Sequence, residues 1–72
     1  MIEDRERNKE ISIQVLKGYT YAQVGVVFGI TSTRVRQISR RIFRKAAPHM
    51  DRNIYNLRRH RNRLISYIRE NL

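Results

Sequence analysis

Apolar residues along this chain recur at intervals of three and four, and few stretches alternate with a period of two. The pattern predicts helices and no strands. A first helix is expected from about Asp4 to Lys17, with Ile11, Val15 and Leu16 on one face, Tyr19 just beyond, and Gly18 as a stop. A second begins at "TYAQ", where Thr20 and Gln23 have the spacing of a capping box. Its apolar face is Val24, Val27 and Phe28, and it ends at Gly29, a residue free to turn left-handed. A third helix, capped by Thr31, runs over 31–47 until Pro48 stops it. A fourth is expected from an Asp51 cap to the C-terminus, with Ile54, Leu57, Leu64, Ile65, Ile68 and Leu72 as its stripe. The fold class is therefore all-α, a small bundle of about four helices. With 72 residues it is one thin-cored domain.

The middle of the chain meets the packing demands of a helix-turn-helix, two short helices joined by a tight turn, the second lying in the DNA major groove. The first helix of the pair needs a very small side chain where the two press together, and Gly25 supplies it. The turn needs a positive backbone angle, and Gly29 supplies that. Their shared core needs apolar side chains, and Val24, Phe28, Ile30, Val35 and Ile38 are all apolar. Residues 1–50 are thus expected to form a helix-turn-helix domain. Residues 51–72 are expected to form a C-terminal amphipathic helix that either packs back on Ile42, Phe43 and the first helix or mediates a homodimer. Arg61 would interrupt a coiled-coil seam of that kind.

Charge changes this from a fold into a functional reading. Sixteen Lys and Arg against six Asp and Glu leave +10. Residues 1–10 carry three basic and four acidic side chains, whereas Ile11 to Met50 contain seven basic residues and no acid. "VFGITSTRVRQISRRIFRK", Val27 to Lys45, holds six of those seven. At ~100° per residue, Val35, Ile38, Ile42 and Ala46 fall in one sector of the third helix, and Thr33, Arg36, Gln37, Arg40, Arg41 and Arg44 fan across the other side. A charge run is ordinarily a solvated face. Such faces mix signs, however, and this one contains no acid.

A groove-facing helix assigns roles by side-chain chemistry. Arg36 has the fork that suits a guanine edge, and Gln37 suits adenine or thymine. Ser32 and Thr33, at the helix N-terminus, suit a thymine methyl or a phosphate. These four are the expected base contacts. Thr31, Arg34, Arg40, Arg41 and Arg44 are expected on phosphates, as are Thr20, Tyr21 and Gln23 where the second helix crosses the backbone. For Tyr21, packing against the first helix is an equal alternative.

The stretch "YTYAQVGVVFGITSTRVRQISRRIFRKA" resembles region four of the sigma-70 family, the helix-turn-helix that reads the upstream promoter element and touches the RNA polymerase flap. The resemblance covers roughly residues 5–47. It is carried by Thr20, Val24, Gly25, Phe28, Gly29, Ile30, Thr31, by "RVRQI" from Arg34 to Ile38, and by Lys45. It implies base contacts at Arg36 and Gln37, and backbone contacts near Thr20 and Arg34. Two departures stand out: Ser32-Thr33 replace the family's Arg-Glu, and Ser39 replaces its usual Glu.

The reading that results is a sequence-specific double-stranded DNA-binding protein, a small transcription regulator of phage, plasmid or bacterial origin. The alternative is a protein-interaction module that mimics region four and binds RNA polymerase. No catalytic arrangement of side chains is present, so an enzyme is not expected. No metal or other cofactor is expected either. The chain has no cysteine, and His49 and His60 lie far apart. A basic amphipathic helix over 51–72 has a weak membrane reading, which Arg61 opposes. No apolar run approaches a membrane span. The expected location is the cytoplasm, at the nucleoid or in a phage host.

Overall fold

The computed structural model describes residues 5–46 and 59–72. The expectations placed on Asp4, Ala47, Pro48, His49, Asp51, Ile54 and Leu57 lie outside those residues. Within them are four helices and no strand: α1 Arg5–Leu16, α2 Tyr21–Phe28, α3 Ser32–Ala46 and α4 Arg61–Asn71. The architecture is all-α.

Glycine ends α1 and α2 in the same way. The Gly18 φ is 108°, its amide donates to Val15 O at 3.1 Å, and the Tyr19 amide donates to Gln14 O at 3.3 Å. That pairing satisfies the Gln14 and Val15 carbonyls in the last turn of α1. At the end of α2, Gly29 sits at φ 71° and ψ 32°, and both it and Ile30 donate their amides to Gly25 O, the latter at 2.9 Å. The starts are set by hydroxyls. Thr20 Oγ1 accepts from the Gln23 amide at 3.1 Å, and Gln23 Oε1 accepts from the Thr20 amide at 2.9 Å, which completes the capping box. Thr31 Oγ1 accepts from the Arg34 amide at 3.1 Å and caps α3.

The core is centred on α1, which packs against all three other helices. Its burial goes well beyond the single face expected. Ile11, Ser12, Ile13, Val15 and Leu16 are all at or below 1% exposure, and Asn8 is buried as well. With three helices packed on it, the second half of α1 leaves only Gln14 half-exposed, so consecutive residues disappear from the surface where the sequence pattern marks only Ile11, Val15 and Leu16. Val24 from α2, Val35, Ile38 and Phe43 from α3, and Leu64 and Ile68 from α4 join it, with Phe28, Ile30, Ile42 and Ala46 packed at the margin.

Two details differ from the sequence pattern, and a third position is not assigned by it. Val27, expected on the inner face of α2, is 78% exposed. An eight-residue helix buries one narrow sector here, and Tyr21, Val24 and Phe28 (spaced three and four apart) fill it. Ser39, which the sequence pattern assigns to neither side, shares the apolar side of α3. It is fully buried on the inner side of α3, and its hydroxyl has no hydrogen-bond partner. The helix expected over 51–72 is interrupted at His60, whose backbone lies at φ −104° and ψ 22°, so the final helix starts at Arg61. Arg61 is exposed, while Leu64 and Ile68 face α1 and α3.

Gly25 is the tightest point in the fold. A Cβ built on it would meet Ile30 O at 2.6 Å, Thr31 C at 3.3 Å and Ser32 N at 3.4 Å. All three are backbone atoms of the turn and the start of α3, so no side chain can swing aside. Gly25→Ala is expected to destabilise the fold by about 1–3 kcal/mol, the usual range for overpacking, read as a lowered urea midpoint with loss of helical ellipticity at lower denaturant. Ser39→Ala is expected to act in the opposite direction. It removes a buried unpaired hydroxyl and improves helix propensity, together worth about 1 kcal/mol of stabilisation, and a midpoint that falls would contradict this account.

Candidate nucleic-acid interface

The turn fixes how α3 is presented. Its apolar side, Val35, Ile38 and Phe43 with the small Ser39, lies in the core. Ser32, Thr33, Arg36, Gln37, Arg40, Arg41, Arg44 and Lys45 are exposed. The four residues expected to meet bases thus stand together on the first two turns of α3, all solvent-accessible. Arg36, Arg40 and Arg44 follow one another at i, i+4 and form a ladder of like charge along the helix. Arg41 and Lys45 form a second, shorter one. No acidic residue lies in α2 or α3 to offset them. Repulsion of this kind costs a few tenths of a kcal/mol per pair in an isolated helix. An anionic partner along the ladder relieves it. Part of the cost is met internally, since Arg44 and Lys45 occupy the last turn, where positive charge favours the helix dipole.

The expected phosphate contacts divide by their surroundings. Arg40, Arg41 and Arg44 are exposed on α3, and Arg34 is half-buried. Thr20, Gln23 and Thr31 are exposed at the helix starts, but their side chains also hold the caps. Tyr21 is half-buried and packs on the core cluster, in line with the packing alternative for it. The chain therefore brings Ser32, Thr33, Arg36, Gln37, Arg40, Arg41 and Arg44 onto one helix. Thr20 and Gln23 stand at the start of the preceding one.

A second surface is not expected from the sequence as a contact, although one of its residues, Gln23, is expected on phosphate. Between α1 and α2 is an open groove of about 540 Å³ lined by Glu10, Gln14, Tyr19, Gln23, Val24, Val27 and Phe28. None of its residues comes from α3. Tyr19 is 51% exposed and Val27 is 78% exposed, with Val26 beside it at 84%. The groove also holds Glu10, to which the Gln14 side-chain amide donates at 2.8 Å. The signal in the sequence is the doublet Val26-Val27 on a helix too short to bury both.

Among the described residues, no group of three or more His, Cys, Asp or Glu side chains is placed to hold a metal ion. No described helix is long and apolar enough to cross a membrane.

A short capped helix, a glycine turn closed over Gly25, and a basic helix held by its apolar side define a helix-turn-helix of the DNA-binding class. The family model for sigma-70 region 4 matches residues 3–45, more than half of the chain. The chain belongs to the sigma-70 region 4 family, whose helix-turn-helix is a DNA-binding element of transcription. Neither a curated protein nor a solved structure matches it significantly.

Proposed function

We propose that this protein is a sequence-specific double-stranded DNA-binding transcription regulator, of phage, plasmid or bacterial origin, that reads the major groove with α3. The observation that carries the reading is the division of α3 into an occupied apolar side and an exposed, acid-free basic side. In this reading Ser32, Thr33, Arg36 and Gln37 meet base edges. Arg34, Arg40, Arg41 and Arg44, together with Thr31 and the start of α2 at Thr20, Tyr21 and Gln23, set register on phosphates. Because Ser32-Thr33 stand where the family carries Arg-Glu, the preferred sequence is the chain's own. It is to be found by selection from random duplexes.

A second reading has its own observation, the apolar groove between α1 and α2 on residues that α3 does not use. It supports a role as an interaction module that mimics region four and engages RNA polymerase, alone or together with DNA binding. An exposed apolar groove of this kind is a usual mark of a protein contact.

Two measurements separate the readings. Duplex binding should weaken with salt, with a log–log slope between about −4.5 and −6.3, as expected when about five to seven phosphates are neutralised. Arg36→Ala should cost about 1–3 kcal/mol and relax preference at a single base pair; absence of duplex binding at low salt would sink the DNA reading. Retention of the protein on immobilised RNA polymerase should persist in the Arg36→Ala, Gln37→Ala variant and disappear in Val27→Glu if the groove is the contact. No retention of the unaltered protein removes the second reading.

A further inference from the structure

The family match ends at residue 45, yet the chain carries a further basic cluster beyond it, at the start of α4. Arg59, His60, Arg61, Asn62 and Arg63 are all exposed, and together they line an open hollow of about 510 Å³. In an unbroken helix Arg59 and Arg61 would point about 200° apart. The backbone leaves helical geometry at His60, between them, and the residues on either side of the break border one space. The lining of that space holds three guanidinium groups, an imidazole and a carboxamide, with no carboxylate and no apolar side chain.

The charge of this cluster is not balanced from within. Among the described residues, the side chains of Arg59, Arg61 and Arg63 make no hydrogen bond or ion pair. The acid of α4, Glu70, stands seven residues beyond Arg63, and Leu72 stands nine beyond it. Both lie about 10 Å or more further along the axis, at the other end of the helix. The placement does not serve α4 either. Its first turn carries Arg61 and Arg63 and no acid, the end at which positive charge is unfavourable. Three exposed cations with no internal partner raise the energy of the free protein, and an external anion lowers it. Arginine forks meet phosphate oxygens in pairs, so phosphate is the anion that this chemistry suits.

We propose that Arg59, Arg61 and Arg63 form a second contact for the sugar–phosphate backbone of duplex DNA, one that holds without reading sequence. Duplex DNA is the phosphate source because residues 3–45 belong to a family of DNA-binding elements, and to that extent the proposal rests on the DNA reading above. The open hollow offers donors for a repeating backbone and nothing that selects one base from another. The phosphates belong either to a further stretch of the duplex seated on α3 or to a second duplex. In both cases α4 has two tasks: Leu64 and Ile68 close the core, and its exposed start binds.

The test uses the full chain and measures the salt dependence of duplex binding. The triple variant Arg59→Gln, Arg61→Gln, Arg63→Gln should have a slope shallower by about 0.9 for each phosphate it no longer neutralises. Its affinity for selected and random duplexes should fall by the same factor. The double variant Lys17→Gln, Arg69→Gln, which removes exposed charge elsewhere, should keep the slope of the unaltered protein. In the unaltered protein, the Asn62 side-chain amide resonance should move when a random duplex is titrated in, a readout that needs no variant to fold. Energy transfer between donor-labelled and acceptor-labelled duplexes, lost in the triple variant, assigns the phosphates to a second duplex; its absence assigns them to the duplex on α3. If the triple variant binds more weakly while Arg36→Ala, Gln37→Ala changes neither affinity nor preference, the reading of α3 falls and the cluster stands. Duplex binding with an unchanged slope in the triple variant and an unmoved Asn62 resonance overturns the proposal and leaves α3 its role. Absence of duplex binding at low salt overturns both.

Discussion

The approach of the turn backbone to Gly25 is the contact on which the rest depends. A Cβ there would meet the Ile30 carbonyl oxygen at 2.6 Å, so any other residue forces the turn backbone to shift, and the Gly25 carbonyl receives the amides of Gly29 and Ile30. One residue thus sets both how near α3 comes to α2 and how the chain reverses between them. The angle between the helices, the burial of Val35 and Ile38, and the outward direction of Arg36 and Gln37 all follow from that approach. The Thr31 cap then starts α3 at a defined residue. A shift of one position there would rotate every groove residue by about 100°.

The helices divide the work unequally. α1 is the centre of the core and contacts each of the others, while α3 contributes one apolar side and keeps the other for a partner. α4 lies beyond the family match, yet Leu64 and Ile68 enter the same core cluster as Ile11 and Val35. The matched region and the folding unit therefore differ in extent, and the core closes only when the end of the chain is counted.

Much of this is legible in the order of residues because local rules act over three or four positions. Thr20 and Gln23, Gly18, Gly29, and the apolar spacing of Val24, Val35 and Ile38 each carry their meaning within one turn. What escapes is set by contacts between distant segments. Nothing local says that α1 is covered from three sides, so the pattern gives no reason to place Ile13 inside, while Asn8 and Ser12 share the spacing of Ile11 and Val15 but not their apolar chemistry. Ser39 falls within the apolar sector of α3 by its spacing from Val35 and Ile42, and its polar side chain is what hides that. Val27 reads as core until the width of the α2 contact is known. The groove between α1 and α2 joins residues from separate helices, which no one-helix pattern reveals. The roles of Ser32, Thr33, Arg36 and Gln37 are proposed from chemistry and position on α3, and the structure adds their common exposure.

The acid-free ladder Arg36, Arg40 and Arg44 has a thermodynamic consequence for the protein as a whole. A ligand that binds only the folded form stabilises it in proportion to the logarithm of its concentration over its dissociation constant. In a thin-cored domain whose one face repels itself, that gain is large relative to the stability at hand. Occupancy and persistence are then coupled. Molecules on a polyanion would remain folded, and those released from it would populate open states more often, so the lifetime of the protein would track the availability of its sites.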